Sequence, residues 1–273
     1  MKVTLLGSGD AVGVPAPLCD CRYCEEGPRR RRTALLVETD RAAVVLDAGP
    51  DVVDQLRVAD VTRVDAFFVT HHHYDHVGGL HELDHAAMGF DAHVGITGGY
   101  LPPDAFAEEE KPRDPEFAVY LTDTALEHVD SSAPYLREAI EFRTFRHGEA
   151  ISVGDLSVVP FPVRHGGPRF DTVGFAVAAS DSTVAYAPDM WEFGNGDAYA
   201  DADLLFVEGA ALFRAFGHGE EAELRAALSD ADADRTVLVN LNEHLQRMTT
   251  DELREAAAAD GYELGSDFET YRP

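Results

Sequence analysis

The chain has 273 residues, 45% of them apolar, with 50 acidic and 22 basic residues and a net charge of −28. That apolar content excludes an acidic disordered polymer, and no run approaches the roughly 18–20 consecutive apolar residues of a membrane helix. The charge fits a folded protein with an acidic surface, as in organisms with a high-salt (halophilic) cytoplasm, and by itself names no partner.

In chain order, Lys2 to Leu6 reads as a strand entering the turn Gly7-Ser8-Gly9. This start lacks a signal-peptide apolar segment, so a cytoplasmic location is expected. Residues 10 to 32 read as an irregular loop with Cys19, Cys21, Cys24 and the run Arg29 to Arg32. Three cysteines within six residues, and no others, argue against a disulfide framework and for metal binding. Thr33 to Glu38 and Ala42 to Leu46 predict a hairpin, and Asp51 to Val58 a helix. Ala66 to Val69 is a short buried strand by its aromatic and β-branched content.

Directly after it, Thr70 to Leu80 reads THHHYDHVGGL, so His71, His73, Asp75 and His76 spell H-x-H-x-D-H. Extended backbone points alternate side chains the same way, so His71 and His73 can share one metal. Asp75 and His76 lie past the turn and can face a second. Imidazole nitrogen with carboxylate oxygen suits zinc, manganese or iron(II). Residues 81 to about 145 read as less regular, with a helix at Pro134 to Glu141. Strands follow at Ala150 to Ser152, Leu156 to Pro162, Thr172 to Ala178, Thr183 to Ala187, Ala202 to Glu208 and Thr236 to Val239, with a helix at Glu220 to Leu228. No linker rich in Gly, Ser or Pro splits the chain, which predicts one domain over residues 1–273.

The histidine motif resembles the signature of the metallo-β-lactamase fold superfamily. The resemblance implies an α/β fold, a four-layer αββα sandwich with two metals at the strand ends, used mostly for hydrolysis. It implies His165 as a further ligand and Asp189 as a carboxylate bridging both metals. Asp47 in Asp47-Ala48-Gly49 would support the histidine loop from behind. The last ligand of the family is a histidine closing the final strand. Here Asn240 stands there, at most a weak oxygen ligand, which puts the second metal site in question.

Gly13-Val14-Pro15 followed by Cys19-x-Cys21-x-x-Cys24 is similar to the phosphoribosyl cyclic phosphodiesterase branch. That likeness implies a structural zinc held by Cys19, Cys21, Cys24 and His244, and a proton donor at His218. The expected cofactors are therefore Zn²⁺ or Mn²⁺ in a mono- or dinuclear active site plus structural Zn²⁺. The expected activity is that of a metal-dependent phosphodiesterase, with Asp75 and His218 catalytic and metal-activated hydroxide as nucleophile. A small phosphate-containing molecule, such as a cyclic phosphate or a nucleotide, is the expected substrate. Arg29 to Arg32, or Arg164 and Arg169, are candidates for holding its phosphate. A tRNA 3′-processing endonuclease and a non-catalytic member resembling the pyrroloquinoline-quinone pathway protein are the competing readings. No membrane is expected as partner, nucleic acid is disfavoured by the charge and the absence of a basic stripe, and a homodimer stays open.

Overall fold

The computed structural model describes residues 1–88, 116–166, 170–193, 199, 202–213 and 220–273. The first half builds one sheet from β1 (Lys2–Gly7), β2 (Ala34–Glu38), β3 (Ala43–Leu46), β4 (Ala66–Phe68), β5 (Ala118–Leu121) and β6 (Glu141–Thr144). The C-terminal strand β15 (Glu269–Tyr271) returns to its edge, giving the order β15-β1-β2-β3-β4-β5-β6. The second half uses β8 (Leu156–Arg164), β9 (Thr172–Ala179), β10 (Ser182–Ala187), β11 (Glu192–Phe193), β12 (Leu204–Glu208), β13 (Thr236–Val239) and β14 (Glu263–Leu264). Their order is β11-β8-β9-β10-β12-β13-β14, with β7 (Ile151–Val153) folded back on β8. Each sheet starts antiparallel and continues parallel, from β3 in the first and from β10 in the second.

Alternation along the strands builds the layers. On β3, Val44 and Leu46 face the second sheet while Ala43 and Val45 face the helices. On β4, Phe68 joins the core between the sheets and Phe67 the outer one. Between the sheets, Leu5, Leu35 and Val37 meet Val158, Phe175 and Phe206. Behind the first sheet lie α2 (Val52–Val58), α4 (Leu80–Ala87) and α5 (Asp123–Ser132). Behind the second lie α6 (Glu221–Ala231) and α8 (Thr250–Ala259). Two sheets between two helical layers is the expected αββα sandwich. Among the described residues no helix is long and apolar enough to cross a membrane.

The structure departs from the sequence expectation in several elements. The region read as irregular contains β5 and α5, the latter capped by Thr122, whose hydroxyl accepts from the Ala125 amide. The helix expected over Pro134 to Glu141 is a 3₁₀ segment ending at Glu138, and Glu141 already begins β6. That strand is a sheet edge with Glu141 and Arg143 exposed, so it lacks an apolar signature. Within the cysteine loop Arg22–Glu26 forms the short helix α1. The C-terminal segment adds α7 (Glu243–Gln246), α8 with a Thr249/Glu252 capping box, β14 and β15.

A buried ion pair ties that segment to the N-terminal loop. Arg30 Nε donates to Glu243 Oε1 and Oε2 at 2.9 and 3.0 Å, and Nη1 donates to Ser8 Oγ at 2.7 Å and to the Gly265 carbonyl at 2.8 Å. The side chains are 2% and 1% exposed. Glu243→Leu should therefore lower unfolding free energy by about 3–5 kcal/mol, because it strands a buried guanidinium. Removing Arg235 from its exposed pair with Glu263 should cost under about 1 kcal/mol. Denaturant titration of the two variants checks the contrast; equal losses would refute it.

Candidate metal centre

The chain leaves β4 through Thr70 and the three histidines, then turns into α3 (Tyr74–Val77). Two glycines let this loop lie against the end of β3: a Cβ at Gly49 would collide with the Asp75 carbonyl, and one at Gly79 with the Gly49 carbonyl. His71 Nε2 lies 2.8 Å from His73 Nδ1, and the His165 ring, just past β8, sits 5.0 and 5.4 Å from theirs. Ligand atoms of His71, His73 and His165 fall within 4.8 Å of one another, as do those of His71, His76 and Asp189. His76 Nε2 is 2.6 Å from Asp189 Oδ2 and 3.1 Å from Asp75 Oδ2. His72 faces away, stacked on Phe170 at 5.1 Å beside His128. The structure thus gathers His71, His73, Asp75, His76, His165 and Asp189 at one edge of the two sheets.

Behind them sits Asp47, fully buried, at φ 67°. Its Oδ1 accepts from the Thr70 amide at 2.8 Å and from the Thr70 hydroxyl at 3.0 Å. Its Oδ2 takes His76 Nδ1 at 2.7 Å and the Tyr186 hydroxyl at 3.0 Å. Thr70 Oγ1, whose proton goes to Asp47, accepts from His71 Nδ1 at 3.0 Å. Both rings are thereby held with Nδ1 protonated and Nε2 facing the site.

The electrostatics follow from this packing. Burial works to lower the pKa of His76, but the carboxylates of Asp47, Asp75 and Asp189 outweigh it and hold it well above the ordinary value. Burial works to raise Asp189 and Asp75, and the charge and hydrogen bond of His76 pull both below the usual carboxylate range. His71 is driven well below its usual value by burial and by the charge on His76.

Other expected residues fall differently. Asn240, buried at the end of β13, turns its amide nitrogen to Asp189 Oδ1 at 2.5 Å, Glu208 Oε2 at 3.0 Å and the Pro188 carbonyl at 3.1 Å. Its nitrogen serves as a hydrogen-bond donor, whereas the weak ligand role expected from sequence falls to the amide oxygen. Glu208, fully buried at the end of β12, is a carboxylate of this edge that sequence reasoning passed over. The arginine run is taken up in ion pairs: Arg30 with Glu243, Arg31 with Asp54 and Asp267, Arg32 with Asp51. Arg164 pairs with Glu192 and Glu223. Arg169 and His218 lie outside the described residues.

The cysteine loop meets α7. Sγ of Cys19, Cys21 and Cys24 lie 3.3, 3.2 and 3.6 Å from His244 Nδ1. The hydrogen bond from His244 pulls the Cys21 thiol down to about 6, while burial pushes Cys24 up to about 11. Four convergent donors of types S, S, S and N match a closed tetrahedral zinc set.

Among solved structures, zinc-bound PqqB from Methylobacterium extorquens is similar over 100% of both chains, with a TM-score of 0.76 and 21% identity. A diphosphatase of the PhnP family is similar over 99% of this chain and 97% of its own, with a TM-score of 0.75 and 22% identity. Among curated proteins, an octanoyltransferase of Porphyromonas gingivalis is 27% identical over 77% of this chain and 39% of its own length. Ribonuclease Z of Methanopyrus kandleri is 31% identical over 52% of this chain and 43% of its own. The chain spans less than half the length of these curated relatives. The sequence models of the Metallo-beta-lactamase superfamily and of the Beta-lactamase superfamily domain match residues 27–168 and 103–239. Each match takes in half of the chain or more. The chain belongs to the metallo-beta-lactamase superfamily.

Proposed function

We propose that the chain is a metal-dependent phosphoric diester hydrolase acting on a small cyclic phosphate or a nucleotide. The observation that carries this reading is the convergence of His71, His73 and His165 beside His76, Asp75 and Asp189. The similar PhnP-family diphosphatase and Ribonuclease Z, both named for hydrolysis at phosphorus, support the substrate class. A bound divalent metal supplies Lewis acidity toward water and toward a phosphoryl oxygen. Zn²⁺ and Mn²⁺ both fit the nitrogen and oxygen donors.

The chain's own groups do the rest. Asp47 and Thr70 fix the His76 and His71 rings so that their Nε2 lone pairs are presented to a cation. Asp75, its side chain 14% exposed and one carboxylate oxygen 3.1 Å from His76 Nε2, accepts the proton of the attacking water at a carboxylate oxygen. His218, assigned from the sequence resemblance alone, protonates the leaving oxygen. Cys19, Cys21, Cys24 and His244 hold a zinc that clips the N-terminal loop to α7 and leaves no position for substrate.

Protein loaded with zinc or manganese should cleave bis(p-nitrophenyl) phosphate or a cyclic phosphate, and Asp75→Asn should lower kcat by ~10²–10⁴. Absence of turnover with every divalent metal tried would sink the reading. Ribonuclease action is the second reading, favoured by the 31% identity to Ribonuclease Z. Cleavage of precursor tRNA with no action on small diesters would establish it instead.

Asp47→Asn sets an amide against donors that need a carboxylate. It should weaken active-site metal binding ~10–100-fold in chelator competition; unchanged affinity would show that Asp47 has no hold on the ligands. Cys21→Ser should release one zinc per chain and lower the melting temperature. An unchanged zinc count would remove the cysteine site from the proposal.

A further inference from the structure

The end of β13 sets the two halves of the metal centre apart. Asn240 adopts left-handed backbone, φ 60°, which asparagine tolerates well. Its amide nitrogen is surrounded by three oxygens, on Asp189, Glu208 and Pro188. Only the NH₂ end of a carboxamide can stand among three acceptors, so the orientation is fixed by the network. An NH₂ group with its protons so engaged offers a cation nothing.

The contact also changes Asp189. Its Oδ1 accepts from Asn240 at 2.5 Å, which turns Oδ2 into the site, 2.6 Å from His76 Nε2 and 3.8 Å from His71 Nε2. Oδ2 therefore faces both halves of the centre. The half built by His71, His73 and His165 keeps three imidazoles. The other half keeps one imidazole, His76, with Asp75 and a share of Asp189 Oδ2. Imidazole-rich sets favour zinc and its neighbours in affinity, while oxygen-rich sets suit manganese and magnesium.

Resting on the metallohydrolase reading above, we propose that Asn240 makes the two metal positions unequal. The position at His71, His73 and His165 binds tightly. The position at Asp75, His76 and Asp189 is weaker and exchangeable, and takes an oxygen-preferring divalent cation. Asn240 acts as a positioning residue, through the Asp189 oxygen it hydrogen-bonds and the imidazole nitrogen it does not supply.

Manganese titration of the metal-depleted full chain, followed by electron paramagnetic resonance in high potassium chloride to occupy the acidic surface, tests this. Manganese reports the nitrogen–oxygen centre, because thiolates select softer metals. The expected result is an isolated Mn²⁺ signal at one equivalent, and an exchange-coupled pair only when a second ion binds with a dissociation constant larger by about tenfold or more. A smaller ratio overturns the proposal. Asn240→His, a residue type that also tolerates this backbone, should bring the second constant down by about tenfold or more. A correctly folded variant with the wild-type ratio counts against it. The wild-type titration decides the matter even where the variant fails to fold. Unequal sites without diester cleavage would remove the hydrolase reading and leave the asymmetry standing. Equal sites with cleavage would do the reverse, and no manganese at either position would overturn the asymmetry while leaving a zinc hydrolase to the turnover assay.

Discussion

One buried carboxylate holds the centre together. Asp47 accepts hydrogen bonds from the Thr70 amide, the Thr70 hydroxyl, the His76 ring and the Tyr186 hydroxyl. These donors come from the histidine loop and from β10 of the opposite sheet. A buried charge is tolerated only when its lone pairs are met, and here they are met by groups that must be fixed for another reason. The same contacts that make Asp47 affordable orient His71 and His76. Stability of the sheet junction and alignment of the ligands are therefore one network, and the Val173 amide donating to the Thr70 carbonyl at 3.0 Å adds a backbone link between the two sheets at the same point.

The network also distributes charge. His76 stands between three carboxylates, Asp47, Asp75 and Asp189, and the ring that is raised by them lowers Asp75 and Asp189 in return. His71, equally buried but without such neighbours on both sides, is driven toward its neutral form. Two imidazoles whose centroids lie 4.3 Å apart are thus shifted in opposite directions from the ordinary histidine value. The difference follows from which carboxylates each nitrogen faces, since both rings are buried.

Local pattern made much of this legible in the sequence. The H-x-H-x-D-H spacing and the cysteine triplet are short-range signals, His165 and Asp189 follow from the family resemblance, and the structure gathers them into a histidine–aspartate cluster and a cysteine cluster. The two-sheet sandwich was likewise readable from strands recurring in each half. What escaped depends on long-range pairing. Tyr186 reads as one more apolar strand residue, and its hydroxyl matters only because β10 faces the end of β3. Glu208 reads as a strand terminus, and it enters the site because β12 lies between β10 and β13. The Arg29 to Arg32 run reads as a candidate for holding phosphate until the fold delivers Asp51, Asp54, Glu243 and Asp267 to it. The α8 capping box, Thr249 with Glu252, was a local signal within reach of sequence reading.

The strand ends explain why polar residues can crowd one edge at all. Asp47 after β3 and Asn240 after β13 both adopt positive φ, at 67° and 60°. Asparagine and aspartate enter this region more readily than other side-chain-bearing residues. The turn of the backbone ends the run of strand residues, and the short polar side chain finds partners across the gap between strands. Asp47 gathers donors there, and Asn240 donates to acceptors. The two residues share a backbone solution with opposite hydrogen-bond polarity, one on each sheet. A left-handed residue closing a strand thus places an acceptor behind the histidine ligands at one sheet and a donor against Asp189 at the other.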